Sequence, residues 1–304
     1  MAKALARARR AVEWPTLLAL LLCYAGWALA TTWLADLALL PAIALLAVSA
    51  ALHSSLSHEA LHGHPFRSPL ANAALVFPAL SLIVPYLRFQ DTHLAHHQDE
   101  ILTDPYDDPE SNFLDPAHWA RLPRWRRALL RANNTLLGRL TLGPALGTLS
   151  WLASEARAAL REPRVLRGWL WHIPALALVI WWLAAVATIP LWAFLLGSYL
   201  SHSLLKIRTF AEHQAHARPR ARTVIIEDRG PLAWLFLNNN LHVVHHMHPA
   251  RPWYDLPALY AARRAHYLRR NEAYRFASYA ALFRRHFRRA KDPVPHPLWH
   301  PPGE

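Results

Sequence analysis

Histidine supplies the chemistry most open to reading in this chain. Twenty of its 304 residues are histidine, and half of them fall into three tight groups. The first is His58, His62 and His64, the second His93, His96 and His97, and the third His242, His245, His246 and His248. Residues four apart on a helix share a face, so His58 and His62 project together. In His-x-x-His-His the first ring meets the next two at i+3 and i+4, a spacing expected to aim three rings at one point. Imidazole suits zinc, copper, iron and nickel, whereas carboxylate-rich sites favour harder ions. One pair and two triplets bring eight nitrogen donors, too many for a single tetrahedral zinc. Two metals of five or six ligands each, with positions left open, match the number better.

Such groups need a scaffold that brings distant stretches together. Apolar residues make up 54% and charged ones only 17%, which is low in charge for a soluble enzyme. Apolar runs lie at about 14–34, 37–57, 169–187 and 191–207 (the last uncharged only to Leu205, before Lys206), each near the ~20 residues that cross a bilayer. The links Ala35-Asp36 and Thr188-Ile189-Pro190 are short, so the runs read as two helical hairpins. A cleaved signal peptide has a shorter apolar stretch and a small-residue cleavage site, and that reading fits the first run less well. Segment 70–87 is apolar but broken by Pro78 and Pro85. It reads as a partial or interfacial insertion that keeps the histidines on either side of it on one face of the membrane.

Basic residues set the orientation. Lys3, Arg7, Arg9 and Arg10, the stretches 121–131 and 157–167, Lys206 with Arg208, and the basic C-terminal region 258–304 lie on one side, while the hairpin links carry no positive charge. The positive-inside rule then puts both termini and all three histidine groups in the cytoplasm. Attraction to anionic lipid, roughly 1 kcal/mol per basic residue near the surface, accounts for the net charge of +13 without a nucleic-acid partner. Trp14, Trp33, Trp169, Trp171 and Trp192 suit interfacial belts, and 119–160 suits amphipathic helices lying in the interface. The tail 291–304, with five prolines, reads as irregular or extended. Cys23 is the only cysteine, which excludes a disulfide scaffold, and the apolar content excludes disorder. The expected fold is an all-α integral membrane protein, one domain over 1–304. It has about four transmembrane helices in two hairpins and a cytoplasmic helical cap carrying the histidines.

The three histidine motifs follow the apolar runs in a fixed order, and Asn240-Leu241-His242 leads through His248-Pro249 to Pro252-Trp253-Tyr254. This arrangement resembles the membrane fatty acid desaturase and hydroxylase superfamily in its bacterial form, over 53–111 and 200–256. The resemblance implies a non-haem di-iron site of two Fe ions, with O2 as co-substrate and two electrons supplied from outside. Its ligand positions carry over to His58, His62, His93, His96, His97, His242, His245 and His246. Arg208-Thr-Phe-Ala-Glu212-His213 resembles a further ligand element, making His213 the ninth; His202 is its rival, because carotenoid ketolases have a similar stretch there. His53, His64 and His248 are left as structural or supporting groups.

Metal-bound histidine usually donates its other ring N–H to a carboxylate or carbonyl. Glu59 and Glu212, each beside a proposed ligand, are the stronger candidates, and Asp91 is another. The acidic run Asp99, Glu100, Asp104, Asp107 and Asp108 reads mostly as a solvated loop, and Asn238, Asn239 and Asn240 as helix caps rather than partners of a metal-bound water.

The resemblance implies an O2-dependent oxidoreductase that desaturates a fatty acyl or related lipid chain. The alternatives are a hydroxylase or ketolase of a carotenoid, alkane or specialised lipid-linked molecule and, outside enzymes, a membrane metal-binding protein. Metal transport predicts ionisable groups along the spans, which are nearly free of them. With one cysteine and no redox domain, the electron donor is expected to be separate, such as a ferredoxin and its reductase, steered by the basic surface. The expected location is the bacterial inner membrane, with lipid substrate and bilayer as the other partners.

Overall fold

A computed structural model describes residues 12–300. Lys3, Arg7, Arg9 and Arg10 lie outside the described residues, as does the end of the proline-rich tail.

The first apolar run forms α1 (Trp14–Thr31) and, after a break, α2 (Trp33–Leu37). Thr32 leaves helical geometry at φ −121° and ψ −111°, and its hydroxyl donates to the Ala28 carbonyl at 2.7 Å, as Thr31 does to Trp27 at 3.0 Å. These bonds satisfy carbonyls near the end of the helix. α3 (Leu39–Leu61) returns alongside, running past the expected end at 57, so that His58 lies inside it and His62 closes it. Close approach of the pair rests on Gly26, where an added Cβ would sit 2.7 Å from Ser49 Oγ. On the other flank of α3 lies α11, seated by Gly197 against Leu46.

Segment 70–87 does not form one helix. α4 (Pro69–Leu75), capped by Ser68, spans seven residues, ~10 Å at helical rise. Non-helical chain follows up to α5 (Tyr86–His96). The exposed backbone of that stretch is satisfied by protein: Ser198 donates to Ser81 O at 2.9 Å and His172 Nε2 to Leu82 O at 2.9 Å. Irregular chain at membrane depth needs such partners.

Four helices then cover 116–159: α6 (Pro116–Arg121), α7 (Arg124–Asn133), α8 (Leu136–Thr141) and α9 (Gly143–Ala159). α7 buries none of its residues. The second hairpin is α10 (Pro163–Ala185) and α11 (Leu191–Ala211), its turn bonded to the end of α1 through Thr188 N and Thr31 O at 2.9 Å. Both hairpin links therefore sit at one end of the bundle, and the histidine-bearing ends of α3 and α11 at the other. α12 (Pro231–Leu235), α13 (His242–Met247), α14 (Leu256–Arg270) and α15 (Tyr279–His286) complete the helices. A single parallel pair, β1 (Ile225–Ile226) with β2 (Arg275–Phe276), is the small departure from an all-helical chain among the described residues.

Among the described residues, three segments are long and apolar enough to cross a membrane: Trp14–Leu37, Leu39–Leu61 and Pro163–Ala185. The stretch expected as a fourth span forms the helix α11 but is not one of these three, its second half carrying the polar Ser198, Ser201, His202, Ser203, Lys206 and Arg208. The central position belongs to α3, 61% buried in its most apolar stretch against 33% for the first segment and 22% for α10. Leu18, Leu21 and Leu22 of the first segment and Leu170, Ile173 and Ile180 of α10 are exposed, an apolar surface suited to lipid. Trp14, Trp33, Trp171 and Trp192 are likewise exposed, whereas Trp169 turns inward to donate to Glu155 at 3.1 Å.

The C-terminal basic region is not simply a lipid-facing surface. Arg264 and Arg275 both pair with Glu227, and Arg270 with Asp99. The described part of the tail is extended and strapped to the loop before α6, with Leu114 N to Val294 O at 3.0 Å and His296 N to Leu114 O at 2.8 Å.

Candidate metal centre

The three histidine motifs meet where α3, α5 and α13 end. Their nitrogens, joined by His213 from the end of α11, form two groups, each with ligand atoms within 4.8 Å of one another: His58, His62, His93, His97 and His245, and beside them His96, His213, His242 and His246. All nine expected positions are included. His202 is not; its Nε2 lies 3.5 Å from Ser81 O, on the non-helical chain before α5. His53 lies 3.4 Å from the Tyr24 hydroxyl, His64 is buried against Glu13 at 2.8 Å, and His248 meets Tyr267 at 3.1 Å.

The arrangement corrects one expectation. Each His-x-x-His-His motif does not aim three rings at one point; it divides them. His93 and His97, four apart, enter the five-histidine group while His96 enters the other; His242 and His246 enter the four-histidine group while His245 crosses over. Adjacent residues on a helix diverge by about 100°, so consecutive histidines serve neighbouring sites. The two groups touch where the His97 and His246 rings stack at 4.3 Å.

Polar neighbours fix the rings. Nδ1 of His93 lies 2.8 Å from Glu110, Nδ1 of His96 2.7 Å from Asp108, and Nδ1 of His242 2.9 Å from Asn239 Oδ1. The carboxylate contacts leave Nε2 of His93 free to bind, and the amide oxygen does the same for His242. Of the expected supports, Glu59 accepts from Trp253 N at 3.1 Å and stays 4.0 Å from His58 Nδ1. Glu212 pairs with Arg208 at 2.9 Å and accepts from Asn239 at 3.4 Å, so it acts on His242 through that amide. Asp91 pairs with Arg88 and Arg164 and touches no ligand. Arg88, also bound to Glu155, instead anchors α5 in a gap that Gly168 leaves open.

The acidic run and the asparagines depart from expectation as well. Asp108 is buried on His96, and Asp99 approaches His246 at 3.7 Å, so that run is no mere solvated loop. α13 begins at Leu241 without a side-chain cap; Asn240 donates to Ile226 O and Asp228 O, and Asn238 to Trp253 O. Glu110 went unread in the sequence, its one signal being the Asp-Pro-Glu turn shortly after the second motif.

Electrostatics separate the two groups. Burial and the neighbouring His93 pull His62 down to about 2, and burial with His246 nearby lowers His97. Burial likewise lowers His245, His213 and His242, and brings His246 to about 4. His96 is the exception: burial disfavours its charge, but the Glu110 and Asp108 carboxylates outweigh it and raise the ring to about 9. Burial pushes Glu110 upward, yet His93 and His96 outweigh it and hold the carboxyl below the ordinary range.

These residues fit metal ions. Nε2 of His97 lies 3.0 Å from that of His93 and 3.1 Å from that of His245, and Nε2 of His213 lies 2.9 Å from His96 and 3.1 Å from His242. Nε2 of His58, His62 and His246 are buried with no hydrogen-bond partner among the described residues. Where the converging rings are neutral their lone pairs repel one another, and a cation at their focus satisfies them together. Five nitrogens exceed a tetrahedral zinc site.

A cavity of ≈ 730 Å³ is lined by His96 and His213 together with Phe89, Ile83, Val76 and Trp151 among others. Volumes of this order accommodate one drug-sized or lipid-sized molecule.

Comparison with known proteins places this geometry in context. The family model described as Fatty acid desaturase matches residues 31–278. The chain is also 27% identical over 253 residues to a Beta-carotene ketolase from Paracoccus sp. (strain PC1), covering 79% of this chain and 88% of that protein.

Proposed function

The chain belongs to the fatty acid desaturase family, and from that premise we propose that it is a membrane oxidoreductase using two iron ions and O2 to desaturate a fatty acyl or related lipid chain. The observation that carries the reading is the pair of adjacent imidazole groups, five and four strong, the second of which faces through His96 and His213 a cavity of mixed polar and apolar lining. Nine nitrogens over two metals leave coordination positions free, as O2 chemistry requires. The bound irons, with O2 and two external electrons, supply the oxidising power to remove hydrogen from an unactivated C–H bond.

The protein's own residues do the positioning. Glu110, Asp108 and Asn239 hold the rings of His93, His96 and His242 with Nε2 turned inward. Burial of His58, His93, His96, His242 and His245 keeps bulk water from the centre. The cavity aligns a long apolar substrate beside His96 and His213, which favours reaction at one part of the chain. In the same reading α11 is the fourth span, both termini and the centre face the cytoplasm of a bacterial inner membrane, and a ferredoxin-type carrier delivers the electrons.

Similarity to the Beta-carotene ketolase supports a second reading, oxygenation of a carotenoid or alkane by the same centre. Product analysis decides between them. Iron-loaded protein in lipid nanodiscs, given labelled acyl lipids, O2 and a reducing system, is expected to yield a product lighter by two hydrogens. A product carrying oxygen alone would move the assignment to the second reading, and absence of any product from protein holding two irons would sink both.

A further inference from the structure

The cavity that touches His96 and His213 also carries two cations. It reaches Arg139 on α8 and Lys206 on α11, flanked by Asn133. Other charged groups along its walls are engaged: Arg208 with Glu212, Lys291 with Asp292, Glu110 with His93 and Asp108 with His96. Arg139 and Lys206 are not. Arg139 is 9% exposed, Nη1 donates to the Asn112 amide oxygen, and Nε has no partner. Neither cation has a carboxylate within 4.0 Å among the described residues.

Two glycines bring the pair together. A Cβ added at Gly143 would sit 3.4 Å from Asn133 Oδ1, 3.6 Å from Lys206 Cγ and 3.7 Å from Arg139 Cδ. One added at Gly147 would sit 3.4 Å from Lys206 Nζ. Side chains at these positions would crowd the space beside the cations. A buried guanidinium beside a half-buried ammonium, with no carboxylate in contact, is unfavourable by desolvation and by repulsion. An anion between them reverses both effects, and guanidinium with ammonium is a donor set suited to an oxyanion.

We propose that Arg139 and Lys206 bind the oxyanion headgroup of the lipid whose chain is oxidised at the metal centre. The headgroup anchors the chain at one end of the cavity and so sets which carbon lies beside His96 and His213. This rests on the lipid-oxidation reading above and narrows it to anion-headed substrates, since a hydrocarbon has nothing to complete the cationic pair.

The test is equilibrium binding of tritiated stearate to the iron-loaded protein in zwitterionic nanodiscs. The competitors are unlabelled stearate, methyl stearate, stearyl alcohol and inorganic phosphate. Stearate is expected to compete at least about tenfold better than its ester or alcohol, the scale of a charge-assisted hydrogen bond. Arg139→Gln and Lys206→Gln are expected to bring that ratio near one with both irons retained, and Lys206→Arg to preserve it. Equal competition by acid and ester in the unmodified protein would overturn the proposal, and that arm decides it even where a variant does not fold. Displacement by phosphate as effective as by stearate would assign the pocket to a free anion and overturn the headgroup role. Acid-selective binding without oxidation of any lipid would leave the pocket standing and sink the catalytic reading. Oxidation of neutral hydrocarbons with no acid preference would do the reverse.

Discussion

In the five-histidine group, His62, His97 and His245 are held neutral by burial among other rings, and Nε2 of His58 and His62 has no partner. In the four-histidine group, two carboxylates charge His96, and its Nε2 leans on His213 at 2.9 Å. The same motifs build both, because adjacent histidines on one helix point into different sites. What differs is the surrounding shell: His62, His97 and His245 of the first group offer unprotonated nitrogens, whereas His96 of the second holds a proton that a cation must displace. Two neighbouring ions therefore meet unequal sites, a basis for unequal roles at one centre.

The hardest break in this comparison is to delete one ligand from each side. His245→Ala and His242→Ala are each expected to leave about one tightly bound iron per chain and to lower turnover by at least ~100-fold, beyond the loss typical of an outer partner. Metal analysis with steady-state rates checks this; both irons retained in either variant would place that histidine outside the centre.

A gentler break is Asp108→Asn, which touches only the four-histidine group through His96. Iron affinity there should fall about 10–100-fold while the other site keeps its affinity, as competitive chelator titration would show.

Proton release sharpens the contrast further. His96 titrates at about 9, so below that pH its ring carries a proton that metal binding removes. Affinity of the four-histidine site should rise about tenfold per pH unit from pH 7 until pH approaches 9, then level off. In the five-histidine site His62, at about 2, contributes no such slope. Calorimetry in buffers of different ionisation enthalpy counts the protons, and equal release from the two sites would remove the distinction.

The smallest effect concerns the rival ligand. His202 contacts the Ser81 carbonyl and joins neither group. His202→Ala should keep two irons and change turnover by no more than about threefold, measurable beside His213→Ala, in which one iron is lost.

Much of the centre was legible in the sequence because its logic is local. Spacings of three and four residues on a helix identify ring-bearing faces, and the apolar runs mark the helices that bring them together. The partition of rings between two sites depends on how α5 and α13 are rotated toward each other, which no single motif records. Asp108 and Glu110 reach their histidines through a loop whose path is tertiary, so they look like any acidic turn. The asparagine run suggested capping, yet positive φ at Asn238 (57°) and Leu237 (50°) turns the chain so that Asn239 faces His242. Polar residues in α11 blurred the fourth span because they serve the cavity and the non-helical chain before α5 rather than lipid.

The most direct measurement is Mössbauer spectroscopy, with metal analysis, on protein loaded anaerobically with 57Fe. Two irons per chain, giving two distinct quadrupole doublets of equal area, are the expected result, with one doublet lost in His245→Ala and the other in His242→Ala. A single iron per chain, or a site that keeps zinc and refuses iron, would contradict the account.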